Sequence, residues 1–363
     1  MKIIIASRGN ATNPILWSST PLNIYERVKI KAQCYLLDWS LFKPIFSFYC
    51  VIIGKLSFIW GSVCDPLLYG IGKKTIERRI KSLKNDFDYI FYVSGDLCIS
   101  DKMIGKYKYA YYTDIYLPNV LPYYNKLKPF NKWFIKRYKE NIKEQYNRCN
   151  IIFCQNEWTK NDIIKDLLID ENKVYNVRFG VNLTPYQDIK DYNENLLLIV
   201  LRKGTEEYKG LNLLLEAFPL VRKVINDVKL AVVGTDIGSG IEGVTCYYNQ
   251  PRSTTIELFK RCTLYTMPAL REPNGITYLE GLANKAPIVG LNRFAFPEFA
   301  GNGKWGFICQ NDNPQELADT IIEALSDKER LRIMGEKGQK FVIDNYDWDK
   351  VVDNMIKIMK EKL

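Results

Sequence analysis

Arg271-Glu-Pro-Asn-Gly-Ile-Thr-Tyr-Leu-Glu280, continuing directly into Gly281-Leu-Ala-Asn-Lys-Ala-Pro-Ile-Val-Gly290, is the stretch that decides the fold. Glu272 and Glu280 have seven residues between them, and a glycine turn at Gly275 opens an apolar helix in that interval. Apolar runs at Thr263 to Met267 and Pro287 to Val289 predict strands on either side. Strand, tight loop, helix and strand form the repeating unit of a parallel α/β sheet. The first N–H groups of a helix have no intrahelical partner and attract phosphate. A flanking carboxylate accepts hydrogen bonds from sugar hydroxyls, so the combination suits a nucleotide sugar. An ordinary helix that carries two acidic residues is the alternative at this point.

Companion stretches narrow the choice. After the apolar run Leu196 to Leu201 come Arg202 and, seven residues on, Lys209-Gly210, then Leu213-Leu-Leu-Glu-Ala-Phe218. Arginine offers a planar fork to phosphate oxygens and lysine a compact point charge. Further upstream stand Val174-Tyr-Asn-Val-Arg-Phe-Gly-Val-Asn182, Ile151-Ile-Phe-Cys-Gln-Asn-Glu-Trp158 and Trp17-Ser-Ser-Thr-Pro-Leu-Asn-Ile-Tyr25. Together these stretches resemble the retaining glycosyltransferases of family four (glycosyltransferases group 1). Those enzymes have the α/β GT-B fold, two Rossmann-like parallel-sheet domains facing a cleft. The resemblance implies that Glu272 holds donor-sugar hydroxyls and Glu280 the ribose. It puts the backbone of Gly275, Ile276 and Thr277 against the diphosphate and sugar. Arg202 and Lys209 would contact the diphosphate, with Lys203 competing for the place of Arg202. Asn274 stands where family members often carry an aromatic residue.

Composition is compatible with this. A chain of 363 residues holds two domains of ordinary size, and 47% hydrophobic with 25% charged residues describes a packed globular protein. The net charge of +10 favours anionic partners: a nucleotide diphosphate, a lipid phosphate or a membrane surface. Nucleic acid is not expected, because the basic residues are spread along the chain with no recognisable nucleic-acid module. There is no histidine, which excludes an imidazole base, a Ser-His-Asp triad and a His-ligated metal. The nine cysteines (34, 50, 64, 98, 149, 154, 246, 262, 309) form no Cys-x-x-Cys pair and read as reduced thiols of a cytoplasmic protein. The opening Met-Lys-Ile-Ile-Ile-Ala predicts a buried first strand, too short for a signal peptide's apolar core.

Strands predicted at Lys2–Ala6, Tyr89–Ser94, Ala110–Thr113 and Ile151–Cys154 alternate with helices such as Leu22–Gln33. The second half repeats the pattern, with a strand over Lys229–Gly234 and helices over Ser253–Arg261 and from Pro314 to the end. The expected organisation is an acceptor-binding domain over 1–183, a linker over 184–195 and a nucleotide-sugar domain over 196–345. A terminal helix over 346–363 would cross back to the first domain, as in many GT-B proteins. Residues 36–60 are rich in Leu, Phe, Ile, Tyr and Trp with lysines at 43 and 55, which fits a core helix or a peripheral membrane contact. Basic Lys73, Lys74, Arg78 and Arg79 lie nearby. Asp86-Phe-Asp88 reads as a turn leading a strand rather than a metal pair. Asp114 ends an apolar strand, where α/β proteins place their sites; it orients the acceptor hydroxyl or caps a helix. Ser18, Ser19 and Thr20 read as an N-cap run for the first helix. The loop Gly234 to Gly240, with Tyr247 or Tyr248 and Arg252, would border the nucleotide base.

The expected activity is that of a retaining, metal-independent glycosyltransferase. Such an enzyme moves a sugar from a nucleotide diphosphate sugar, its only small-molecule requirement, to a glycan or lipid-linked acceptor. Glu272 and Asp114 serve the chemistry; Arg202, Lys209, Asn274, Gly275, Ile276, Thr277 and Glu280 hold the donor. The expected location is the cytoplasm, at the inner face of a membrane if residues 36–60 touch lipid. A catalytically silent glycan- or lipid-binding protein on the same fold is the rival. A sugar-nucleotide epimerase is disfavoured by the missing histidine.

Overall fold

The structure, a computed structural model, describes residues 1–39, 66–83, 85–93, 97–115, 129–238 and 240–363, with the backbone alone for 66–69 and 129–135. The chain divides into two units, Met1–Phe179 with Trp348–Leu363, and Gly180–Asp347. Each unit is a six-stranded parallel sheet with helical crossovers, the α/β architecture of the GT-B class.

The first sheet comprises β1 (Lys2–Ser7), β2 (Gln33–Asp38), β3 (Tyr89–Tyr92), β4 (Lys108–Thr113), β5 (Ile151–Cys154) and β6 (Val174–Asn176). Their order is β2-β1-β3-β4-β5-β6. Successive side chains of a strand point to opposite faces, and Ile3, Ile4, Ile5 and Ala6 are all fully buried. A continuous apolar run is what a strand covered on both faces requires.

The second sheet comprises β7 (Leu196–Val200), β8 (Lys229–Val233), β9 (Val244–Tyr247), β10 (Leu264–Thr266), β11 (Ile288–Leu291) and β12 (Gly306–Cys309), in the order β12-β11-β10-β7-β8-β9. The helix Leu211–Val224 follows β7 and buries Leu211, Leu214, Phe218 and Val221, the three- and four-residue spacing of a single helical face. In this unit the strand order reverses between β7 and β10, and in the first unit between β1 and β3. At such a reversal the connections leave in opposite directions and open a crevice at the carboxyl ends of the strands.

Three differences from the sequence reading have physical causes. The first helix stops at Lys31, and Gln33 to Asp38 pairs with β1 as an added strand, its apolar Cys34 to Leu37 lying along the sheet. Residues 184–195, expected as a linker, are bound to the second unit. Lys190 Nζ donates to the carbonyls of Phe259 (3.0 Å) and Lys260 (2.7 Å), which end a helix, and Tyr186 N–H donates to Ala283 O at 3.0 Å. The division between units falls instead at Phe179/Gly180 and Asp347/Trp348. Finally, Ser19 does not cap the first helix with its side chain; its hydroxyl donates to Pro14 O at 2.6 Å.

The expected strand end at Ser94 and the apolar stretch from residue 40 to 60 lie outside the described residues. No helix among the described residues is long and apolar enough to cross a membrane. The Asp88 carboxylate is spent on chain pairing, accepting from Lys2 N–H at 2.7 Å.

Candidate functional site

In the second unit the site grows from two loops, one after β7 and one after β10. The β7 loop begins with a tight turn in which the Thr205 hydroxyl accepts from Arg202 N–H (3.1 Å) and donates to Arg202 O (2.7 Å). It ends at Gly210, whose φ of 78° favours glycine. A Cβ there would lie 1.9 Å from Pro268 O in the β10 loop, so the two backbones touch. Tyr208 O accepts from both Leu270 N–H (2.9 Å) and Arg271 N–H (3.0 Å), stitching the loops together. The Arg271 guanidinium adds an ion pair with Glu207 at 2.6 Å.

This stitching brings together residues 63 positions apart in sequence: Lys209 Nζ lies 3.5 Å from Glu272 Oε2. Both side chains are largely covered, 13% and 20% exposed, so each charge is compensated by the other. The other Glu272 oxygen accepts from Gly275 N–H at 3.2 Å and holds the turn before the helix Ile276–Ala283. Gly275 occupies the N-cap in a left-handed conformation, φ 67°, and supplies no side-chain cap. The N–H groups of Ile276 and Thr277 therefore open the helix without an intrahelical carbonyl to bond. The Thr277 side chain turns inward: it is 8% exposed, and its hydroxyl accepts from Tyr265 OH at 2.7 Å. Asn274 lies half-buried on the same turn.

Glu280 is one helical face further along. Burial pushes its carboxyl up to about 7, and the cations Arg252, Lys209 and Arg202 act in the opposite direction. Three positive charges thus converge on one partly covered carboxylate. Arg202 lowers the Glu280 carboxyl and Lys203 lowers that of Glu206. The Glu206 carboxylate accepts from Thr235 Oγ1 at 2.7 Å and ties the loop after β8 to the same edge. Arg252 also donates to Asn182 O at 3.1 Å. Sequence reasoning missed Arg271, Thr205 and Thr235, none of which stands out from ordinary loop polarity.

The first unit carries its own cluster at the carboxyl edge of β4. Asp114 Oδ2 accepts from the Trp17 indole N–H at 3.2 Å, and Asp114 O accepts from Thr159 Oγ1 at 2.9 Å. The helix that follows β5 is capped by Asn156, which accepts from Thr159 N–H, and the residues that directly follow Asp114, 116–128, lie outside the described residues. No group of three or more His, Cys, Asp and Glu among the described residues stands where it could hold a metal.

Residues 186–341 match the family described as glycosyl transferases group 1. The second unit is a glycosyltransferase domain. An uncharacterized glycosyltransferase of Methanocaldococcus jannaschii is 22% identical over 298 residues, covering 81% of this chain and 79% of its own. A phosphatidyl-myo-inositol mannosyltransferase of Propionibacterium freudenreichii subsp. shermanii is 28% identical over 177 residues, 47% of this chain and 46% of its own. Among solved structures, Anabaena Alr3699/HepE in complex with UDP superposes with a TM-score of 0.67 at 15% identity, covering 99% of this chain and 100% of that one. The paired Glu272 and Lys209, the stitched loops and the uncapped helix thus lie in a sugar-transferring enzyme's family domain.

Proposed function

We propose that the protein transfers a sugar, with retention of anomeric configuration and without a metal ion, from a nucleotide diphosphate sugar held by the second unit to a glycan or lipid-linked acceptor. One observation carries this reading: Lys209 and Glu272 are paired at the β7/β10 reversal beside a helix whose first N–H groups have no cap. The helix start and the cations Lys209 and Arg202 supply the charge that a departing diphosphate needs, which is the part a metal plays elsewhere. Glu272 fixes the sugar hydroxyls and Glu280 the ribose. The bond from the anomeric carbon to the β-phosphate oxygen breaks as the acceptor oxygen bonds to the same face. The acceptor proton passes to the leaving phosphate oxygen, and nucleoside diphosphate departs. Asp114 in the first unit orients the acceptor hydroxyl. The relatives include one named for a phosphatidylinositol acceptor and a fold neighbour solved with UDP, which supports a lipid-linked acceptor and a UDP-type donor.

Thermal shift against UDP, GDP, ADP and their sugars, with and without EDTA, identifies the donor. Saturation at 100 times the dissociation constant adds about 2.7 kcal/mol of stability. Lys209→Ala is expected to lower kcat by about 10²–10³-fold, the loss seen when one charge-stabilising group is removed. Glu272→Ala is expected to abolish transfer while the fold persists. Wild-type turnover in either variant, or a nucleotide response that EDTA removes, would sink this reading.

A peripheral membrane contact belongs to the same proposal. Lys74, Arg78 and Lys81 are exposed on the helix Pro66–Ser82, and Lys136, Arg137 and Lys143 are exposed on the helix Pro129–Arg148 that packs against it. Co-sedimentation with vesicles rich in anionic lipid, lost on raising salt, is the expected behaviour. Equal binding to zwitterionic vesicles would point to another cause.

A further inference from the structure

We propose that Trp17 is a positioning residue for transfer, holding the Asp114 carboxylate in the orientation that meets the acceptor hydroxyl; this rests on the role given to Asp114 above. The indole N–H donates to Asp114 Oδ2 at 3.2 Å across 97 positions of sequence. Behind it the indole leans on Tyr112, ring centroids 5.7 Å apart and planes tilted by 59°. Tyr112 is itself locked, 1% exposed with its hydroxyl donating to Arg178 O at 2.7 Å. The Asp114 backbone is held separately by Thr159. Carboxylate and backbone are therefore held from two sides, the carboxylate by the indole and the backbone by Thr159. Trp17 and Asp114 are each only half-buried, so the pair lies within reach of a ligand at the carboxyl edge of the sheet.

The backbone that delivers the indole is unusual. Trp17, Ser18 and Ser19 have φ of 43°, 54° and 65°, three successive residues with a Cβ in the left-handed region. That region crowds the Cβ against the following carbonyl, and single visits are the rule. The Ser19 hydroxyl bond to Pro14 O and the Leu16 N–H bond to Asn13 O (3.1 Å) hold the loop in this shape. Strain of this kind persists where surrounding contacts over-determine it, and it concentrates at functional sites. Ser19 stands at the N-cap of the helix, yet its side chain does not cap it.

The test is a kinetic cycle over Trp17→Phe, Asp114→Ala and the double variant. Phenylalanine keeps a ring against Tyr112 and removes the N–H donor. The donor is whichever of UDP-glucose, UDP-N-acetylglucosamine or GDP-mannose stabilises the protein, water is the surrogate acceptor, and released nucleoside diphosphate is the readout. Trp17→Phe is expected to lower kcat about tenfold, with donor KM and Tm nearly unchanged and no further loss in the Asp114→Ala background. Wild-type kcat in Trp17→Phe, the same tenfold loss with Asp114 already removed, or a loss that tracks a falling Tm would each overturn the proposal. Full activity in Asp114→Ala would overturn the role of Asp114 and this inference with it, and that outcome has its own signature.

Discussion

Glu280 shows what the proposed donor site costs the unliganded fold at the scale of one residue. Its carboxyl sits at about 7 against an ordinary 4.5, chiefly through burial, although three cations pull it down. A raised carboxyl binds its proton more tightly folded than unfolded. The Glu280 contribution to the second unit's stability is therefore highest below about 4.5, falls as pH rises from 4.5 to 7, and stays at the lower level above 7. Glu280→Gln removes the ionisable group, so the unliganded variant is expected to melt above wild type at pH 8 and to match it near pH 4.5. The same variant should bind the nucleoside diphosphate about tenfold more weakly, one charge-assisted hydrogen bond's worth. Calorimetric melts at the two pH values, with and without nucleotide, decide the matter; a variant no more stable at pH 8 would contradict the burial argument. Glu272 and Glu280 stood out as candidates because they flank one turn and helix start, and Lys209 because it closes the strand-to-helix loop after β7; that Lys209 meets Glu272 was not legible. The Trp17–Asp114 bond was not, because nothing local in either segment encodes a partner 97 positions away.

At the scale of elements, the central strands could be read where a short apolar run ends at a turn, since burial on both faces demands that composition, whereas β6, β9 and β12 were not predicted, β9 being only partly covered along its length. β2 escaped because its apolar residues run on from a helix and toward a longer apolar stretch, and only pairing with β1 makes it a strand. The stitching of the β7 and β10 loops also escaped, because a touching pair of backbones leaves only a glycine as its trace. Gly210 and Gly204 separate the two demands that such a trace can express. Both have positive φ, 78° and 86°, yet a Cβ at Gly210 would collide with Pro268 O while one at Gly204 would meet nothing within 4 Å. Gly204→Ala is expected to cost about 1 kcal/mol, the conformational penalty alone. Gly210→Ala must also part the loops, for about 2–4 kcal/mol in all, and should weaken nucleotide binding as Lys209 moves from Glu272. Denaturant midpoints and nucleotide titrations of the two variants give the comparison; equal losses would mean that the loops separate without resistance.

For the molecule as a whole, the last helix decides which unit the chain's end stabilises. Trp348–Glu361 is grouped with residues 1–179, although 168 residues of the second unit precede it. Its apolar face buries Val351, Val352, Met355, Ile356 and Met359, and Met359 O accepts from the buried Tyr89 hydroxyl at 3.0 Å. On its polar face Arg27 pairs with Asp349 at 2.7 Å and Lys31 with Asp353 at 2.5 Å. Those surface pairs add little. Five buried apolar side chains, at roughly 2 kcal/mol each, amount to about 10 kcal/mol, as large as the stability of a typical domain. Ending the chain at Asp347 is therefore expected to unfold the first unit and leave the second folded. In a calorimetric scan the truncated protein should lose one transition and keep another that nucleoside diphosphate still raises. Sugar transfer should vanish, because the proposed acceptor side is lost while the proposed donor side remains. Met359→Ala is the graded version, expected to lower only the first unit's transition by about 2–5 kcal/mol of stability. If both transitions fall together, the terminal helix stabilises the second unit as well, and the two-unit division at Asp347 and Trp348 fails as an account of folding.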